Sequence, residues 1–228
     1  MPLVPHLLRS LAAALAVVSL QCTAAPFAIM LGDTRIGMDA PPGFADTGFT
    51  GSPRLQDLAE TLTSASNRIL LFALSDADLR RFMAGDQMDG KRYMLIATPK
   101  NSERDSLSAG GFARLTSDSL RILGTVPGPQ ADYQKYLDTQ PPGRANLLAE
   151  LVKESTVVSV MQGTRIPPPQ GKRNEPSTYV VSSTTLMLVR GKALSLAVYS
   201  AFESPADLEW VRSTTTAWIE DLKRINAR

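Results

Sequence analysis

Histidine and cysteine are almost missing from this chain: His6 and Cys22 are the only examples, and both lie in the first 24 residues. Aromatic residues make up only 6% of the chain, and no charge sign dominates. Those first residues have the form of an export signal. Arg9 precedes an apolar run, Leu11–Leu20, that is too short to span a bilayer, and small residues follow it. Cleavage is expected after Ala24, with Cys22 and Ala24 as the small residues of the site. Acylation of Cys22 as a lipoprotein ranks second, because Gln21 is large and polar where such signals want a small side chain.

Each absence excludes a chemistry from the mature chain. Without histidine or cysteine there is no Ser-His-Asp triad, no cysteine nucleophile, no His-bearing zinc site and no haem ligation by either residue. No Ser-x-x-Lys occurs either. Removal of Arg9 leaves 24 − 1 = 23 basic against 22 acidic residues, so no polybasic surface points to nucleic acid. Disulfides are excluded, and a core alone must hold about 200 residues, which is feasible at that size. No second apolar run reaches transmembrane length.

The C-terminal fifty residues are the most legible. Thr178–Val189 and Ala193–Phe202 are rich in β-branched and aromatic residues and flank Arg190-Gly191-Lys192. A Gly191-Lys192 turn of type II′ pairs Val189 with Leu194, Met187 with Leu196, Thr185 with Val198 and Val181 with Phe202. An Arg190-Gly191 turn shifts the partners and keeps the same faces together. Ser204 then reads as a helix N-cap, Pro205 as the first helical residue and Asp207 as the third position of a capping box. Leu208, Val211, Thr215, Trp218, Leu222 and Ile225 recur on one helical face. Lys223 and Arg224 place positive charge at the negative end of the helix dipole.

Upstream, strands are expected at 34–39, 68–73, 92–98 and 156–165. Helices are expected at 53–63, 76–84, 132–137 and 145–154. A polar helical stretch opens at Asn101 or Ser102, with Gly110-Gly111 interrupting it. The Pro-rich joints separate elements too short for cores of their own, so residues 25–228 read as a single α+β domain.

Arg35-Ile-Gly-Met-Asp-Ala-Pro-Pro-Gly-Phe44, a strand running into Pro-x-Gly-aromatic, resembles the opening of PsbP-like proteins. So does the C-terminal order of strand, glycine turn, strand, Ser-Pro and long Trp-bearing helix. The resemblance covers about a third of the chain. It implies an antiparallel β-sheet covered by helices on both faces; the family is functionally diverse and often non-catalytic, so the resemblance implies architecture more than activity and carries over no ligand residues.

Four acidic residues, Asp76, Asp78, Asp86 and Asp89, are the candidates for carboxylate or cation chemistry. The simpler account places Asp76 and Asp78 in the first turn of a helix and Asp86 and Asp89 in a glycine-containing turn. Lys172 and Arg173, with Arg165 nearby in sequence, are the compact basic feature beside Pro167-Pro168-Pro169 and are candidates for partner contact, a solvated loop tip being the simpler account. Trp210 lies off the centre of the helical stripe and is a candidate partner anchor. The sequence implies no cofactor and no metal. The expected function is that of an exported periplasmic, non-catalytic protein contacting a protein or another envelope component. The alternative is a carboxylate-dependent hydrolase or cation-binding enzyme built on Asp76–Asp89.

Overall fold

In a computed structural model, residues 26–123, 125–128, 132–168 and 176–227 are described. Strands β1 (Phe27–Leu31) and β2 (Thr34–Met38) form a two-stranded hairpin. A seven-stranded sheet is built from β3 (Phe44–Asp46), β4 (Asn67–Ser75), β5 (Arg92–Pro99), β6 (Ala145–Glu154), β7 (Val157–Ile166), β8 (Thr178–Val189) and β9 (Lys192–Ala201). Its order is β3-β4-β5-β9-β8-β7-β6, and every neighbouring pair is antiparallel. Helices α1 (Pro53–Thr61), α2 (Asp76–Ala84), α3 (Ala109–Leu123), α4 (Tyr133–Asp138) and α5 (Pro205–Asn226) pack around it. The fold is α+β, as the sequence reading expected. Among the described residues, no helix is long and apolar enough to cross a membrane.

Helix α5 lies on β8, β9 and the β1–β2 hairpin. Its stripe buries Leu208, Val211, Thr215, Trp218 and Leu222, as the periodicity predicts, with Ile219 added and Ile225 only half-buried near the helix end. Strands β8 and β9 answer with Val181, Met187, Leu194, Leu196 and Val198. The two buried hydroxyls in this interface satisfy each other, with Ser183 Oγ and Thr215 Oγ1 2.6 Å apart. Trp218 is 1% exposed, and its indole N–H donates to the Asp39 carbonyl at 2.8 Å. At the start of α5 the Asp207 carboxylate accepts from the Ser204 and Glu203 N–H groups.

The hairpin turn is Arg190-Gly191, so Val189 pairs with Lys192 and Met187 with Leu194. Both turn residues have positive φ, 50° and 79°. That is the type I′ sign pattern, whose twist matches the flanking strands better than an open turn. Arg190 tolerates it because its guanidinium donates to the Arg35 and Asn226 carbonyls.

Three other expectations change. Residues 145–154 form an edge strand, not a helix, because pairing with β7 outweighs the helical preference of Ala, Leu, Glu and Lys. Gly163 on β7 admits α4 closely, since a Cβ there would lie 2.8 Å from the Leu137 side chain. The helix expected from Asn101 or Ser102 starts at Ala109, so Gly110-Gly111 occupy its first turn instead of breaking it. Strands β1 and β3 were not anticipated.

Candidate functional site

On the other face of the sheet, α1 and α2 cover the β4 end. Leu55 and Ala59 of α1 and Leu79 of α2 bury against Phe72, Leu74 and Leu95. Pro53 at the first turn sets the start of α1 after Ser52. The chain reaches that point through β3, which pairs with β4 only at Ala73, Leu74 and Ser75.

Beyond Ala73, β3 peels away. Its last residue closes the ladder with a side chain: Asp46 Oδ1 accepts from the Phe72 N–H at 3.1 Å. The Thr47 N–H donates to the Phe72 carbonyl at 2.7 Å, and Gly48–Thr50 then turns the chain towards α1. From Asn67 to Leu71, no strand among the described residues pairs with this side of β4. The turn between α1 and β4 is tied by Asn67 N–H to the Ser64 carbonyl and by Lys100 Nζ to the Ala65 carbonyl.

The result is a groove of about 720 Å³ between α1 and the free stretch of β4. Its apolar lining is Ile69, Leu70, Leu71 and Phe72, and Gln56, Asp57, Glu60 and Thr63 come from the helix side. A bulge between Ile69 and Leu71 turns Leu70 and Leu71 into the same core cluster. Burial raises the Asp46 carboxyl above the ordinary aspartate range, partly offset by the N–H groups of Phe72, Gly48 and Thr47.

The four acidic candidates do different work. The buried Asp78 carboxylate accepts from the Asp89 N–H at 2.7 Å and from the Ser75 hydroxyl, while Ser75 Oγ accepts from the Asp78 N–H. Asp76 lies in the first turn of α2, and Asp86 and Asp89 are exposed. A smaller cleft of about 250 Å³ here holds opposed charges already matched: Arg81 with Asp89, Lys91 with Glu203 and Arg92 with Asp207. Burial works against ionisation of Asp207, yet the Arg92 guanidinium and two backbone N–H groups hold its carboxyl below the usual range. Among the described residues, no group of three or more acidic, His or Cys side chains is placed to hold a metal ion.

Trp210 is half-buried, its ring 5.9 Å from that of Phe44 and capped by the Arg92 guanidinium at 4.2 Å. Arg165 is held by Asp138 at 3.7 Å and by the Gln140 carbonyl at 3.2 Å. Lys172 and Arg173 lie outside the described residues. The structure therefore does not bring Arg165 and Trp210 together, and neither lines the α1–β4 groove. The sequence reading missed the groove. The signal available was the apolar run after Asn67 opposite a helix bearing Gln56, Asp57 and Glu60 on its polar side.

No family model and no curated protein matches the chain. Two solved structures do: the Saccharomyces cerevisiae Ran-binding protein Mog1p and a point mutant of Mog1. Identity to the first is 11%, with 90% of this chain and 93% of that one covered and a TM-score of 0.36. For the mutant the values are 13%, 90%, 94% and 0.37. Likeness of this degree carries nothing about activity or partner. The matches are to Mog1p and not to a PsbP-like protein, which corrects the family read from residues 35–44 and the C-terminal hairpin. Those residues specify a strand entering a turn and a hairpin entering a helix, and such local arrangements recur across families.

Proposed function

We propose that this chain is an exported partner-binding protein, acting in the periplasm as a non-catalytic accessory, and that its partner sits in the α1–β4 groove. The observation that carries the reading is the groove itself: about 720 Å³, floored by β4 around the half-buried Ile69 and lined with polar groups on both its helix and strand sides. That is the size and character of a binding site. The N-terminal Arg9, Leu11–Leu20 and Ala24 support export.

A photo-crosslinking amino acid at Gln56, on the groove lip, tests the site in cells of the source organism. The control position is Ala217, exposed on α5. An adduct from position 56 and none from position 217 is the expected result. No adduct at 56, or equal adducts at both, overturns the reading. The mass of the exported protein should place its first residue at Ala25; an intact Met1 or a lipid on Cys22 would overturn the cleavage proposed.

A further inference from the structure

Resting on that reading, we infer that the partner enters the groove as an extended peptide bearing lysine or arginine, which adds a strand to the open edge of β4 in line with β3. Three observations carry this. The first is the edge. Strand β3 covers Ala73–Ser75 and stops, and Asp46 and Thr47 take up the N–H and carbonyl of Phe72. The stretch from Asn67 to Leu71 continues the same strand with no neighbour on that side among the described residues. A strand edge presents backbone donors and acceptors at the spacing of another extended chain, so its natural complement is a peptide backbone and not a compact ligand.

The second observation is shape. Helix α1 stands beside this edge instead of covering it, and the space left between them is the groove. Five residues of strand run about 17 Å at roughly 3.3 Å per residue, a length that a short peptide segment fills. Side chains on one face of such a peptide would meet the half-buried Ile69, while Leu70 and Leu71 would contribute their backbone edge.

The third is charge. Asp46, Asp57 and Glu60 line the groove, and none of them has a cationic partner among the described residues. The two cations in the lining are already engaged, Arg68 with Glu103 at 2.7 Å and Lys100 Nζ with the Ala65 carbonyl at 2.8 Å. The carbonyl does not cancel the Lys100 charge, so three carboxylates face one unpaired cation; the balance is negative and favours a basic side chain on the incoming strand.

The test uses the full mature chain and fluorescein-labelled octapeptides of alternating valine and threonine with two lysines. Companion peptides carry glutamate for lysine, or N-methyl groups on the odd or the even amides. Saturable binding of the lysine peptide is expected, at least tenfold weaker with glutamate. One of the two methylation patterns should abolish binding and the other should not, because an added strand uses alternate amides. Those β4 amides between Arg68 and Leu71 that face the open edge should gain protection from hydrogen exchange when the peptide binds, whereas the Phe72 N–H, already held by Asp46, should not change. The variant Asp57→Lys with Glu60→Lys changes two exposed positions and should reverse the lysine–glutamate preference. Absence of saturable binding, equal tolerance of both methylation patterns, or protection confined to other elements overturns the inference. The crosslink from position 56 reports occupancy of the groove whatever the partner's conformation. An adduct there without strand protection leaves the site standing and removes the strand.

Discussion

At one edge of the seven-stranded sheet, β6 breaks its ladder twice, between Leu147 and Ala149 and again between Glu150 and Val152, and exposes Glu150, Lys153 and Glu154. At the other, the Asn67–Leu71 stretch of β4 runs beside an open groove with Ile69 half-exposed, a single bulge and a three-residue strand covering only its far end. Bulges and charges are how an edge refuses a neighbour. The β6 edge carries both, and its charges are tied down by Lys153 to Glu150 and by Lys223 of α5 to Glu154. An edge left open invites association, and its retention beside a walled groove is what the proposed strand would use. One sheet thus closes one margin and keeps the other available.

The comparison can be broken most severely from between the edges. Trp218→Ala should destabilise the fold by about 3–5 kcal/mol, the usual cost of emptying a large aromatic core site. Because Trp218 anchors α5 to Asp39 as well as filling the core, hydrogen-exchange protection in β4 and β6 should fall together. Loss at one edge alone would mean that the two margins are separate folding units.

The next effect is local to the open edge. Asp46→Ala should cost about 1–3 kcal/mol by leaving the Phe72 N–H without its acceptor, whereas Asp46→Asn keeps an acceptor and should cost less. The pH dependence has a definite sign. Burial raises the Asp46 pKa on folding, so the folded chain binds this proton more tightly than the unfolded one, and ionisation costs stability. That cost is present at neutral pH and disappears as pH falls through the raised value towards the ordinary aspartate pKa of about 3.9. Wild-type stability relative to Asp46→Asn should therefore improve as pH falls into that window. Denaturant melts of the two proteins at matched pH would show it, and a difference flat with pH would contradict it.

The smallest thermodynamic effect sharpens the contrast most directly. Replacing Glu150 and Lys153 together with valine removes an exposed pair worth about 0–1 kcal/mol, so the melting temperature should barely move. The β6 edge, however, would keep only Glu154 of its three exposed charges. Sedimentation velocity should reveal concentration-dependent association that the wild type lacks. A monomer at all concentrations would show that the two bulges alone protect this margin.

Much of the architecture was legible because its signals are local. Ser75, Asp78 and Gly85 bracket α2 at the positions the capping pattern indicates, with Ser75 Oγ accepting from the Asp78 N–H and Gly85 at φ 84°. Pro53 marks the start of α1. The groove was not legible, since it consists of a length of β4 with no neighbouring strand among the described residues and a helix set back from the edge. Neither is encoded in the pattern of any one segment. Asp46, which falls outside every element expected from the sequence, becomes the last hydrogen-bond acceptor of a sheet only when Phe72 arrives 26 residues later.

By itself the sequence determined the C-terminal hairpin and the buried stripe of α5. Side-chain periodicity, caps and turn residues act within a few positions, and the burial of one apolar face leaves a single workable arrangement. Only the tertiary structure decided that residues 145–154 are a strand, that the hairpin turns at Arg190-Gly191 and that β4 keeps an open edge. In each case the deciding energy comes from partners distant in sequence: β7 for the edge strand, the Arg35 and Asn226 carbonyls for the turn, and the departure of β3 for the groove. Such contacts outweigh local preferences that differ by no more than about 1 kcal/mol per residue.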